Sequence, residues 1–579
     1  MLKLRSCLSI SLLVSIALFF LLLPPQSAFA ASKTSTLVND AIKAGNALAN
    51  VSLVEKKATG KNIPSKEYSA AVKKYTSAKK AVDKLSSKQR KPYVSKLANV
   101  KTQIDRGKKY ITAVTAGKAI EKKRSTFTNL IKYGRLDQKT IDAYTSLSTE
   151  VKKNSSKFNY VYGSKSRDTV KKLYLTPANK VIADYYDTFR VKKAINDTNT
   201  LLKKETTSAK LASTYKTIVF YIDSVKQSAL KKSLKLEVVK LNAAIPSEYQ
   251  TGTLAKLISM DTNFNELDRL VSPGKSDAKV PEIYNQLTAD IKSFTSSEKA
   301  LLDKRFKAIM AQLPLSVKDI KTLLTKAAVA NGVPPEVVKA IAITENGRLL
   351  QFTSTGEVFK SADNGYGIMQ VTPQSENDQQ YDWEKVKYDI NYNIETGVEI
   401  LLKKWNYATA ANPIIPRMNG HEKNILENWY FAIMAYNGLS YRNNPIVSSN
   451  PYQVKVYTYM ADRALVSPYV LKKEELKINK DEVTGLLSFK EKMTYTTSTK
   501  TRSTQLYTKG AVIKISSAAN FRKSPSTSGT KIRTLSSGST VTILAGPYED
   551  TSTANLFNWF KVSVKGSKEV GYLASSNLK

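Results

Sequence analysis

Along residues 31–314, apolar positions recur at three- and four-residue steps with lysines between them. In "SKEYSAAVKKYTSAKKAVDKL" the recurring set is Tyr68, Val72, Tyr75, Ala78, Val82 and Leu85, the stripe of an amphipathic helix. "IPSKEYSAAVKKY" leads into "LSSKQRKPYVSKL", and "VPEIYNQLTADIKSF" into "FTSSEKALLDKRF". Both begin with an apolar-Pro pair and an early Tyr, so stacked helical bundles of one design are expected. From 315 to 470 lysine thins, and Asn, Gly, Trp and Tyr become frequent, with Trp383, Trp405 and Trp429 among them. A compact, mainly helical domain with a groove of carbohydrate size is expected there. "MTYTTSTKTRSTQLYTKG" has no apolar period, and 471–509 reads as an extended linker. Over 510–579 the period falls to two, in "AVIKIS", "TVTIL", "FKVSV" and "VGYLA", which predicts a small all-β barrel.

The 579 residues exceed what one hydrophobic core holds, in line with this multidomain pattern. Lys and Arg number 90 against 48 Asp and Glu, a net charge of +42, which implies an anionic partner or surface. The start narrows the choice. Lys3 and Arg5 precede an apolar run from Leu8 to Leu23, then Pro24, Pro25 and an Ala28-x-Ala30 site. That is the layout of a secretory signal peptide over 1–30, and the run is shorter than the roughly 20 residues of a membrane span. Export demotes nucleic acid and limits membrane contact to passage across it. An anionic secondary polymer of the cell wall becomes the expected counter-charge, and an extracellular, wall-associated place the expected location.

Residue types exclude much chemistry. Cys7, the sole cysteine, lies in the signal peptide, and His421 is the sole histidine. Thiol catalysis, Ser-His machinery and a His-rich zinc site are therefore set aside; no metal or cofactor is expected. Carboxylates, hydroxyls and amides remain. In "VVKAIAITENGRLL" Val337, Val338, Ile341 and Glu345 share one face of a helix opened by Pro334 and Pro335. An acid held against apolar side chains at a helix C-terminus should have a raised pKa, as a general acid requires. A half-exposed glutamate paired with Arg348 is the plainer alternative.

"TEN", "GYGIMQVTP", "NYNIETG" and "AYNGL" follow in order over about a quarter of the chain. Together they resemble the soluble lytic transglycosylases, peptidoglycan-cleaving enzymes with a lysozyme-like fold. The resemblance implies that Glu345 is the single acid/base and that peptidoglycan glycan strands are the substrate. It implies a groove lined by Gly367, Met369 and Gln370, a Tyr436 that hydrogen-bonds near the acid, and Asn437 beside it. The product would be a 1,6-anhydro-muramic acid end. Asn346 stands where the family usually has serine, at a substrate-facing position. Asp363 lies in a position resembling one where goose-type lysozymes use an aspartate for hydrolysis, which would need roughly 6.5–9.5 Å between the carboxyls; a loop aspartate making a turn with Asn364 and Gly365 is the plainer alternative. A non-catalytic wall protein with this fold is the third reading.

Two further resemblances frame this domain. The stretch from "KNIPSKEYSAAVKKY" through "RGKKYITAVTAGK" to "NYVYGSKSRD" resembles the helical wall-anchoring region of certain bacillar S-layer proteins. Asn520-Phe521-Arg522, the Ser524–Thr527 turn, Gly538, Trp559 and Gly571-Tyr572 resemble a bacterial SH3-type domain.

Overall fold

The computed structural model describes residues 26–375 and 378–578. The expected signal peptide lies outside the described residues as far as Pro25, and a helix spans Gln26–Ser52. Among the described residues no helix is long and apolar enough to cross a membrane. The chain divides into two compact units, Met1–Ile258 and Ser259–Lys579.

The first unit is helical throughout. Helices Gln26–Ser52, Ser65–Asp83 and Ser87–Ile131 close on Val38, Ala41, Leu48, Ala71, Ala78, Val82, Leu97, Val100 and Ile104. Of the stripe read from sequence, Ala78 and Val82 are in this core, while Tyr68, Val72 and Tyr75 pack against it half-buried. Close approach decides some identities. A Cβ at Gly107 would fall 2.7 Å from Leu48 Cδ2, so any larger residue there would have to displace the buried Leu48 side chain.

The second repeat copy belongs to the second unit. Its helices, Val280–Ile291 and Ser296–Met310, parallel Ser65–Asp83 and Ser87–Ile131 at one telling point. Both second helices open with a capping box, Ser86 with Gln89 in one and Thr295 with Glu298 in the other.

Next come helices α1 (Val317–Ala330), α2 (Pro335–Glu345), α3 (Ile390–Asn406), α4 (Tyr430–Tyr436) and α5 (Tyr452–Tyr459). Ile394, Val398, Leu401 and Trp405 of α3 point inward as the pattern predicts. Helix α2 is more deeply placed than its stripe implies. From Pro335 to Ile343 every residue is buried, Glu336 and Lys339 included.

The stretch expected as an extended linker is extended but packed. Leu471, Leu476, Ile478, Leu487, Phe489 and Tyr495 are buried, and Thr494–Tyr495 pairs in parallel with Arg417–Met418. Buried glutamates take up its donors. Glu427 accepts from Thr501 N (2.8 Å) and Thr501 Oγ1 (2.7 Å), and Glu336 from Ser503 Oγ (2.9 Å) and Thr504 N (3.0 Å). Its Thr and Ser content thus serves as a row of hydrogen-bond donors.

Strands β1 (Val512–Lys514), β2 (Ala519–Arg522), β3 (Lys531–Leu535), β4 (Thr540–Tyr548), β5 (Trp559–Val564) and β6 (Val570–Ala574) form one antiparallel sheet in the order β1-β4-β5-β6-β2-β3. Alternate residues Phe521, Leu535, Val541, Ile543, Phe560, Val562 and Leu573 fill its interior, giving the SH3-like fold expected from the period of two.

Candidate active site

Glu345 is the last residue of α2. Helices in this domain are short, so three different ends converge on it. Tyr452, at the start of α5, donates its hydroxyl to Glu345 Oε1 at 2.6 Å. Asn437, just past α4, and Arg442 approach from a third side. Burial pushes the Glu345 carboxyl up to about 7, and the negative charge of Asp363 adds to this; the Tyr452 hydroxyl, Arg442 and Asn437 pull it part of the way back. The cation felt by the acid is therefore Arg442, and the pairing with Arg348 is not what holds it.

The loop Tyr366–Val371 forms a second wall, closed on itself by Tyr366 N to Val371 O (3.0 Å) and Val371 N to Tyr366 O (3.1 Å). Gly367 has φ +73°, and a Cβ there would lie 2.2 Å from Gln351 Oε1. Gln351 needs that space, because it accepts from Ile368 N (3.1 Å) and donates to Val386 O and Lys387 O (3.0 and 2.8 Å). Met369 N is held by Asn393 Oδ1 at 3.0 Å. The Met369 side chain is fully buried in the notch left by Gly397, where a Cβ would come within 2.5 Å of it. Its carbonyl accepts from Tyr436 Oη at 2.8 Å. The tyrosine of the Ala-Tyr-Asn stretch thus braces the loop, with its ring close enough for Glu345 to act on it electrostatically.

Two residues expected at the substrate turn out differently. Met369 is core. Asn346 is buried and turned inward, with Nδ2 donating to Leu350 O (2.7 Å) and Gly367 O (3.4 Å) and Oδ1 accepting from Leu350 N (3.2 Å). It ties the end of α2 to the glycine loop. Gln370 donates to Gly367 O at 2.6 Å, and its Oε1 is buried against Gly365 with no hydrogen-bond partner among the described residues. Asn437 Oδ1 accepts from Asn443 Nδ2 at 3.1 Å.

Asp363 is exposed in a turn. Ser361 Oγ donates to its carboxylate at 2.5 Å, and Asn364 N returns to Ser361 O at 3.1 Å. His421 stacks on Trp405 at 3.9 Å between centroids, a packing role. Tyr452 was missed from sequence. It is one of 31 tyrosines, and only its place after Pro451 at a helix start marks it.

In the first unit the stretches "RGKKYITAVTAGK" and "NYVYGSKSRD", which mix cations with aromatic residues, also meet. A cleft of about 800 Å³ is lined by Lys56, Arg106, Lys109, Tyr160, Tyr162 and Arg167 among others. The Arg106 guanidinium lies 3.3 Å over the Tyr162 ring.

Comparison with known families assigns each region a likeness. Residues 322–450 match the transglycosylase SLT domain, residues 517–579 the bacterial SH3 domain, and residues 49–179 the SbsC C-terminal domain, an S-layer domain. No curated protein and no solved structure matches the chain significantly.

Proposed function

We propose that this chain, similar over 322–450 to a transglycosylase domain that acts on peptidoglycan, is a secreted lytic transglycosylase with Glu345 as its single acid/base. The observation that carries the reading is the Glu345 carboxyl, pushed up to about 7 by burial and therefore protonated in much of the neutral range. Glu345 donates that proton to the oxygen joining N-acetylmuramic acid to N-acetylglucosamine, and the C1–O bond breaks as an oxocarbenium-like state develops. The C6 hydroxyl oxygen of the same muramic residue then bonds to C1. Its proton returns to the Glu345 carboxylate, so the acid is regenerated and a 1,6-anhydro end is left. Tyr436 and Asn346 keep the glycine loop in register with α2, and Asn437 stands beside the acid.

The basic helical unit would hold the enzyme on an anionic wall polymer, with the Arg106–Tyr162 cleft offering cations and an aromatic face. Glu345→Gln is expected to abolish release of anhydro-muropeptides from purified wall, read by mass spectrometry, with wall binding retained. Full activity in that variant would sink the proposal. A hydrolytic reading is favoured only by the Asp363 charge felt at Glu345; reducing muramic acid ends in the same digest would establish it.

A further inference from the structure

Charged groups on a catalytic helix are usually solvated, but the two on the inner stretch of α2 are sealed. Glu336 and Lys339 are 0% exposed. Lys339 Nζ donates to Glu549 Oε1 at 2.9 Å and to Asn558 Oδ1. Both partners lie in the connection from β4 to β5 of the SH3-type sheet. Thr325 Oγ1 of α1 donates to the same Glu549 oxygen at 2.7 Å. Beside it Lys321, 1% exposed, reaches Asp550 Oδ1 at 3.0 Å and Ser552 O at 2.9 Å. Asp550 in turn accepts from Trp559 Nε1 (3.1 Å) and Asn555 Nδ2 (3.0 Å). All of these residues belong to one compact unit.

A plain adhesive face between two domains would be apolar. Each buried ion carries a desolvation penalty of several kcal/mol, repaid only when its partners stand in good geometry. Such a contact therefore specifies position and rotation, which a greasy face does not. Lys339 precedes Glu345 by six residues, about 9 Å along the axis, so the helix passes any shift at Lys339 to the acid. The glycine loop opposite is anchored chiefly elsewhere, on Gln351, Asn393 and Tyr436, with one longer bond, Asn346 Nδ2 to Gly367 O at 3.4 Å, joining it to the end of α2. Acid and wall of the site thus share that one tie and otherwise rest on different supports.

We propose that the SH3-type sheet holds α2 so that Glu345 meets the glycosidic oxygen, with Lys339 and Glu549 as the positioning pair. This rests on Glu345 being the acid. In the full-length chain, Lys339→Met and Glu549→Met each leave a buried group poorly paired. Each is expected to lower kcat on purified wall about tenfold to a hundredfold, with KM and wall binding unchanged and the basic limb of the pH profile displaced. The double variant Lys339→Met/Glu549→Met removes both charges together and should recover most of the kcat, a coupling read as a double-mutant cycle. Thr325→Val removes one donor at constant volume. It should give a smaller loss in the same direction, and it keeps the test readable if the charge variants unfold. Folded variants with wild-type kcat and pH profile would overturn the proposal, as would a loss confined to KM. Glu345→Gln is assayed alongside: activity there refutes the acid assignment, whereas an inactive Glu345→Gln beside a fully active Lys339→Met refutes the positioning role alone.

Discussion

The neighbours of Glu345 act on it with opposite signs, which makes their roles separable. The Tyr452 hydroxyl stabilises the carboxylate and the Asp363 charge destabilises it. If the acid must be protonated, cleavage of purified wall should fall about tenfold per pH unit above about 7. Tyr452→Phe is expected to move that limb to higher pH, and Asp363→Asn to lower pH with cleavage retained, both read from turbidity decay across a pH series. Loss of all cleavage in Asp363→Asn would instead favour hydrolysis. The same shift bears on stability. Between 4.5, its ordinary value, and about 7 the folded chain binds a proton that the unfolded chain has released. Stability therefore declines as pH rises through that window and stays lower above it. Glu345→Gln should be more stable than the parent above pH 7, by up to about 3 kcal/mol, and equal to it below pH 4; denaturant melts at both values check this. Glu345 could be singled out from sequence because four ordered motifs surround it; the apolar run alone suited a half-exposed glutamate as well. Tyr452 could not, since its partner lies 107 positions away and nothing local distinguishes it. Asn346 could be located but not interpreted, because a side chain's direction at a helix end depends on what lies beyond the end.

At the level of elements, periodicity reads helices that have a wet side. Ser65–Asp83 follows its stripe because its lysines face water, whereas α2 is covered on every side, and its charged residues meet protein. The linker reading erred for a related reason. A strand-like segment that satisfies its backbone through buried glutamates needs no apolar alternation, and Glu427 sits far from Thr501 in sequence. Glu427→Ala would strand the Thr501 and Tyr469 amides. At about 1–3 kcal/mol for each unsatisfied group, it should lower the melting temperature and open 499–505 to limited proteolysis. Gly397→Val would drive a side chain into Met369. Overpacking of this kind costs about 1–3 kcal/mol and should also displace the glycine loop, so kcat and thermal stability should fall together.

For the whole molecule, the charge of +42 sets a long-range attraction that salt weakens, with a screening length of about 10 Å at 0.1 M. Wall binding should loosen steeply with added salt, and on stripping anionic polymer from the wall, while cleavage of a short soluble glycan stays constant; sedimentation with intact and stripped wall measures the difference. The packed segment between groove and sheet has another consequence. A slack tether would let a bound module and a cutting site wander independently, raising local concentration without fixing any distance. Here the offset from Glu345 to the SH3-type sheet is a constant of the fold. Were that sheet to grip a wall ligand as well, the grip would act like the stop on a saw bench, so that fragments released from long strands cluster around one length instead of decaying smoothly.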